Sequence, residues 1–500
     1  MKPIKAEIII KNGIIESITE LKDSSIIIEN GRKTTFSGSY VLPGLLDYHC
    51  HLWGLGMTML GMPINNAKTP QEIIEIIKDK THFRGGWIFG RGWNQELWDT
   101  KAYPDKQILD EAFPDTPVVL TRIDGHADWV NSKALDIAGI DRHTPDPPGG
   151  EIIKNENGEP TGLLIDDAMQ LVEKHLPYYS LEQLEEMILT GANECIKKGL
   201  TGLHDMDVSP VQIPIFQKLD NTDELPLRVY SYVSAQNDQW MRDKVKPYKG
   251  NLFKIIGLKL FADGALGSHG AALLEPYNDN PKKKGLILLE KDKFIDSMRK
   301  GINMGFQIAT HAIGDAAVRF VLDCYEIIRK EYPDAVLRIE HSQMIHPDDL
   351  LRFKELNIIA VVQPVHCTSD AATMAIPRIG EKRATYSYLW KTLLDNNIKV
   401  LGSSDFPIES HDPLTGIDAF INRIPIGRSE SWNQQETITH SEALKAYSTA
   451  GTDINGMDNS LNTGSQADIT IISNKNFDLN TKDHSKIKAV YINGKLKYKS

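Results

Sequence analysis

The chain has 500 residues, 41% hydrophobic and 25% charged, with a net charge of −11. This is the balance of a soluble globular protein with apolar material for a sizeable core. The acidic excess, with no polybasic block, argues against nucleic acid or anionic membrane as the main partner, and no apolar run approaches the length of a membrane span. The start, Met1-Lys2-Pro3-Ile4-Lys5-Ala6-Glu7, lacks a secretory apolar region, so a cytoplasmic location is expected. The four cysteines, Cys50, Cys195, Cys324 and Cys367, show no C-x-x-C spacing. That fits neither a disulfide framework nor a thiolate zinc site, so any metal must be held by histidine and carboxylate.

Residues 6–11, 13–18, 25–29 and 34–37 read as short β segments punctuated by Asn12-Gly13 and Asn30-Gly31. Asn-Gly between short hydrophobic runs is a strong hairpin signal. Residues 467–472 and 488–494 are again strand-like at the other end. The two termini are therefore expected to form one small β domain, residues 1–40 with 464–500, around a larger body of residues 41–463.

That body alternates strand-like runs with amphipathic stretches. The expected strands are residues 41–51, 200–206, 227–233, 255–263, 306–311, 336–341, 358–363 and 399–405, with helices between most of them, for example 316–330 and 389–396. Eight strands with interposed helices predict an α/β fold, a (β/α)8 barrel whose catalytic residues gather at the C-terminal ends of the strands. One interval is anomalous. About residues 53–198 separate the first strand from the second, far more than a βα unit needs. This insertion carries Trp87, Trp93, Trp98 and Trp129 and the polar stretch Asp124-Gly125-His126-Ala127-Asp128. It reads either as a substrate-selecting element or as a decoration with its own small core; the Trp content favours a partly aromatic pocket.

Polar groups capable of chemistry sit at the ends of the expected strands. His49 and His51, spaced i and i+2 after Val41-Leu42-Pro43-Gly44, leave the same face of a strand, with Cys50 on the other. Lys259 lies inside an apolar strand, where an ammonium must be neutralised, paired or chemically altered. His311, His341 and Asp405 each close a strand. Singly these have ordinary readings: a packed histidine, a helix cap, an edge charge. Six such groups on five strands of one barrel are much harder to dismiss together, and their chemistry is that of metal ligands. Zinc accepts imidazole nitrogen and carboxylate oxygen, and a carboxylate such as Asp405 can take a proton from water. Trp93, Asp124, His126 and His366 are the candidates for contact with substrate. Asp263 and His204 could orient ligands, and Asp315 is expected to cap the helix from Ala316.

The residues 43–51, Arg91-Gly92-Trp93-Asn94, 122–129, Gly149-Gly150-Glu151-Ile152, 259–267, 310–315, 338–343, Gln363-Pro364-Val365-His366 and 403–410 together resemble the amidohydrolase superfamily, specifically its YtcJ-like branch. The resemblance implies a distorted TIM barrel with a β-sandwich built from both termini. It implies two divalent metals, zinc expected, with His49, His51 and Asp405 on one and His311 and His341 on the other. Lys259, carboxylated by CO2, would bridge them. The implied reaction is attack of a metal-bound hydroxide on a carbonyl, with Asp405 as proton shuttle, cleaving a C–N bond of the amide or N-substituted formamide type. The alternatives are a mononuclear deaminase using His49, His51, His311 and Asp405, or a non-catalytic relative with a regulatory role. A small-molecule substrate is expected, and a homodimer is the base expectation. The sequence departs from the resemblance at His269, where an arginine is expected.

Overall fold

In the computed structural model of the chain, the described residues are 4–61, 64–79, 83–122, 125, 127–147, 150–473 and 486–500. The chain divides into two compact units, Met1–Leu52 with Gly191–Ser500, and Trp53–Thr190.

The larger unit is organised by eight parallel strands that neighbour one another in chain order: Leu45–Cys50, Leu200–Val208, Arg228–Ser234, Phe253–Phe261, Gln307–Ala312, Leu337–His341, Ile359–Val362 and Val400–Gly402. The last returns to the first. Asp405 N–H donates to the His49 carbonyl at 2.8 Å and His51 N–H to the Phe406 carbonyl at 2.9 Å. The Ser404 hydroxyl donates to Asp47 Oδ2 at 2.5 Å, so the barrel seam is held by side chain as well as backbone. Helices cover the strands, among them Asp315–Glu331 and Trp390–Asp395, within a residue or so of the expected spans. No helix among the described residues is long and apolar enough to cross a membrane.

The terminal strands pack as two sheets. One runs in the order Ile14–Glu20, Ala6–Lys11, Ser24–Glu29, Arg32–Ser37, and the other in the order Lys495–Lys499, Lys486–Ile492, Ile469–Ser473, Ser39–Pro43. Ile8, Ile10, Ile27 and Phe36 from the first meet Val41, Ile469, Ile471 and Tyr491 from the second in one buried cluster. The expected Asn-Gly hairpins are present: Asn12 and Gly13 have φ of 52° and 79°, and Asn30 and Gly31 have φ of 47° and 84°. A turn with two positive φ values matches the twist of the flanking strands. Asn493-Gly494 does the same, with φ of 51° and 73°, and opens a closing strand that the periodicity did not reveal.

Residues 41–51 are not one strand but parts of two. Ser39–Pro43 pairs antiparallel with Ile469–Ser473 in the terminal sheet, whereas Leu45–Cys50 is the first barrel strand. The switch occurs at Gly44, whose N–H donates to the Asp468 carbonyl and where a Cβ would stand 2.3 Å from Thr201 Oγ1. An apolar run buried on both sides gives no periodicity by which to divide it.

The second unit is a six-stranded sheet in the order Gly150–Lys154, Pro160–Asp166, Ala127–Val130, Val118–Arg122, Trp87–Trp93, Phe83–Arg84. Alternation along its strands builds a core on each face. Val118, Leu120, Trp129 and Leu163 go to one, and Val119, Val130 and Leu164 to the other. Trp93, Trp98 and Trp129 pack with ring centroids 6.0–6.5 Å apart in the first, and Trp87 belongs to the second. The indoles expected to line a pocket are therefore interior residues of this unit.

Arg228 on the third barrel strand and Asp468 at the start of the terminal sheet are both buried. They pair in a fork, Nε to Oδ2 at 2.5 Å and Nη2 to Oδ1 at 3.1 Å. Replacing Arg228 by Met leaves Asp468 buried without its counter-charge and should destabilise this unit by about 3–5 kcal/mol. Adding Asp468→Leu should recover most of that loss. Denaturant unfolding of the two variants checks both.

Candidate metal centre

Residues from five barrel strands meet where the strands end. His49 is 1% exposed and has a carboxylate at each ring nitrogen: Glu340 Oε2 at 2.6 Å from Nδ1, and Asp405 Oδ1 at 3.3 Å from Nε2. His51 Nε2 lies 3.2 Å from the same Asp405 oxygen, and its Nδ1 faces the Met206 carbonyl at 3.1 Å. Lys259 Nζ is 3.3 Å from His49 Nε2. The His341 ring stands 4.9 Å from His49 and 4.4 Å from His311 between centroids. The structure thus brings together His49, His51, Lys259, His311, His341 and Asp405.

Each imidazole is tied by one nitrogen so that the other is presented to the centre. The tether of His341 runs through a chain of three bonds. Its Nδ1 donates to Gln363 Oε1 at 2.8 Å; Gln363 Nε2 donates to Ser403 Oγ at 3.0 Å; Ser403 Oγ donates to the Val362 carbonyl at 3.0 Å. That chain fixes the direction of the amide and hence the tautomer, leaving a lone pair on His341 Nε2. His49 is fixed by Glu340, which accepts two bonds from Arg338, Nε at 2.5 Å and Nη2 at 3.0 Å. Arg338 also stands over the Tyr232 ring and bonds His204 Nδ1 at 2.8 Å.

The backbone is bent to achieve this. His341 and Asp405 have φ of 70° and 60°, the left-handed region that non-glycine residues rarely occupy. At the end of the sixth strand this lets Glu340 and His341, adjacent in sequence, both reach His49.

Protonation favours ligands at His311, His341 and Asp405, whereas Asp405 raises His51 against the effect of burial, so a metal bound there would displace a proton. Burial, then the Lys259 charge, lowers His311 to about 3, and burial holds His341 well below the usual imidazole range, so both are neutral. Burial also lowers Lys259, against the pull of Glu340 and Asp405. For Asp405, burial is outweighed by His49 and His51, which keep it ionised.

The donor set fits a metal. Metal–nitrogen bonds of ~2.0–2.1 Å in a tetrahedron place neighbouring ligands roughly 3.3–3.4 Å apart. The Nε2 atoms of His49 and His51 lie 3.3 and 3.2 Å from Asp405 Oδ1.

Among the other expected residues, Asp263 accepts from the backbone N–H groups of Ala272, Ile313 and Gly314 and lies 3.4 Å from His311 Nε2. His204 bonds Arg338 through Nδ1 and Asn455 through Nε2. Asp315 is the first residue of its helix, with Gly314 at the cap position, and it anchors the N–H of Leu274. Cys50 donates to the His204 carbonyl and, like Cys367, is in neither potential metal group. His269 pairs with Asp279, which also takes Arg378 from the helix Ile376–Ala384. Trp93 is fully buried in the second unit with its indole N–H on the Leu120 carbonyl. Asp124 and His126 lie outside the described residues. Glu340, Arg338, Gln363 and Gln343 are additions. The i, i+2 placement of Arg338 and Glu340 in an apolar strand was the signal for two of them, by the reasoning applied to Lys259.

A sequence profile of the amidohydrolase family matches residues 37–498. The chain belongs to the amidohydrolase family. YtcJ of Bacillus subtilis (strain 168), named as an amidohydrolase, is 34% identical over 93% of this chain and 90% of its own. The Arabidopsis thaliana protein LONG AFTER FAR-RED 3 is 33% identical over 99% of this chain and 89% of its own. An N-substituted formamide deformylase from Arthrobacter pascens is 24% identical over 92% and 89%. The crystal structure of an uncharacterized metal-dependent hydrolase from Pyrococcus furiosus superposes with a TM-score of 0.77 at 27% identity, covering 96% of this chain and 100% of that one. Barrel and terminal sandwich are thus those of an amidohydrolase.

Gln363 orients His341 without touching the centre itself. Gln363→Leu should lower affinity for zinc by about 10–100-fold, read by competition with a chromophoric chelator, with little change in unfolding midpoint.

Proposed function

We propose that this amidohydrolase cleaves an amide-type C–N bond of a small molecule, with N-substituted formamides the first class to test. The observation that carries the reading is the convergence of His49 and His51 on one oxygen of a buried, ionised Asp405, with Lys259 beside them. The relationship to a formamide deformylase supports the substrate class.

In this reading His49, His51 and Asp405 would hold one metal and His311 and His341 a second, with Lys259, once carboxylated, available as a shared ligand. A lysine depressed by burial is a good nucleophile for CO2, and the carbamate exchanges a poor ligand for a good one. Bound zinc polarises a carbonyl and makes water nucleophilic at neutral pH. The chain's own residues do the rest. Glu340 and Gln363 keep His49 and His341 in their ligating tautomers. Asp405 Oδ1 faces His49 and His51, and Oδ2 is the atom available to take a proton from the attacking water and return it to the departing nitrogen.

The compactness of the His49–His51–Asp405 group also suits a mononuclear deaminase. Lys259 separates the two. If the bridging reading holds, metal analysis finds two zinc ions per wild-type chain. Lys259→Ala then loses metal and slows hydrolysis of the best N-formyl or N-acyl amine by more than about 100-fold, the scale of a lost electrostatic stabiliser. Full metal content and rate in Lys259→Ala would refute it.

A further inference from the structure

His366 belongs to the same mouth but differs from its neighbours. It lies in the first turn of the helix Pro364–Asp370 that follows the seventh barrel strand, and its side chain is 9% exposed. Its ring is parallel to that of His341 within 8°, at 6.3 Å between centroids. The two are cross-braced: His341 is held by Gln363, from the segment carrying His366, while His366 Nδ1 accepts from Gln343 Nε2 at 3.4 Å, from the segment carrying His341. The consequences differ. His341 donates from Nδ1 and presents a lone pair. Gln343 has its Oε1 buried and unpaired, and with its Nε2 facing His366 Nδ1 the His366 proton is placed on Nε2. That Nε2 is buried and has no hydrogen-bond partner.

Two uses suit a buried, unpartnered imidazole at a metal centre. As a ligand it would share a metal with Asp405, and His341, His366 and Asp405 do form a potential group. The distances decide against it. His366 Nε2 is 4.0 Å from Asp405 Oδ2, beyond the roughly 3.3–3.4 Å spacing of tetrahedral ligands. It is also too far for a direct hydrogen bond to that carboxylate. A donor held beside the proton-accepting oxygen, paired with nothing, is suited to an atom of the substrate.

We propose that His366 Nε2–H is the hydrogen-bond donor to the carbonyl oxygen of the scissile amide, strengthening as negative charge develops on that oxygen. This rests on the hydrolase reading above. It adds an electrophilic group from the seventh strand to a centre whose ligands come from strands one, four, five, six and eight. No proton is transferred by His366: the N–H remains on Nε2 while the proton of water passes through Asp405.

The test uses the full-length, zinc-loaded protein and the variants His366→Ala and His366→Gln. Zinc per chain, unfolding midpoint, kcat and KM are measured on the best N-formyl or N-acyl amine found. Zinc content and midpoint should match wild type. In His366→Ala, kcat should fall roughly 10²–10³-fold with KM changed far less, the loss expected for one donor to a developing oxyanion. His366→Gln, which keeps an N–H, should recover part of it. Loss of zinc from either variant would make His366 a ligand and overturn the proposal, as would a kcat unchanged in His366→Ala. A wild-type protein that binds no zinc or hydrolyses no amide would instead remove the hydrolase reading, and this inference with it.

Discussion

The centre of the barrel depends on a buried ion pair. Arg338 and Glu340 are both fully buried, two residues apart on the sixth strand, and joined by two hydrogen bonds. Removing such charges from water is unfavourable, and their attraction offsets this only when the remaining donors and acceptors are also satisfied. Here they are. The other guanidinium hydrogens go to the Tyr48 carbonyl, the Tyr232 hydroxyl and His204, and the second Glu340 oxygen goes to His49. Burial pushes Glu340 toward protonation, but Arg338 prevails and holds it far below the usual carboxylate range. A negative Glu340 accepts a hydrogen bond from His49 Nδ1, and that bond sets which nitrogen of His49 faces the centre.

The mouth of the barrel is held by a second device of lower charge. Gln343 and Gln363 reach across between the sixth and seventh segments, each to the other's histidine. Neutral amides orient without adding charge, so the field at the centre is left to Asp405, Lys259 and whatever cation binds. Left-handed backbone at His341 and Asp405, each of order 1–3 kcal/mol unfavourable, is sustained because both side chains are bonded into these networks. Strain of this kind at strand ends accompanies residues whose direction matters more than their local comfort.

The second unit gives the family frame a different kind of complexity. Its sheet carries a core on each face, and three of its tryptophans pack against one another inside it, one pair stacked and two edge-on. Relatives of similar overall coverage bear names as different as a formamide deformylase and LONG AFTER FAR-RED 3. Family membership alone therefore does not assign a substrate, because function is set by the site and not by the fold.

The sequence by itself determined the alternation of strands and helices, the hairpins at Asn12-Gly13 and Asn30-Gly31, and the positions of His49, His51, Lys259, His311, His341 and Asp405 at strand ends. Local periodicity and residue chemistry suffice for these, because each is a property of a few consecutive residues. Tertiary structure alone decided that residues 41–51 serve two sheets, since the break at Gly44 is imposed by Thr201, which is remote in the chain. It alone placed Trp93, Trp98 and Trp129 in an interior, because an amphipathic indole reads the same in a pocket and in a core. It also decided which nitrogen of His49 and of His341 faces inward, for that is set by Glu340 and Gln363, whose partners only the closed barrel brings within reach.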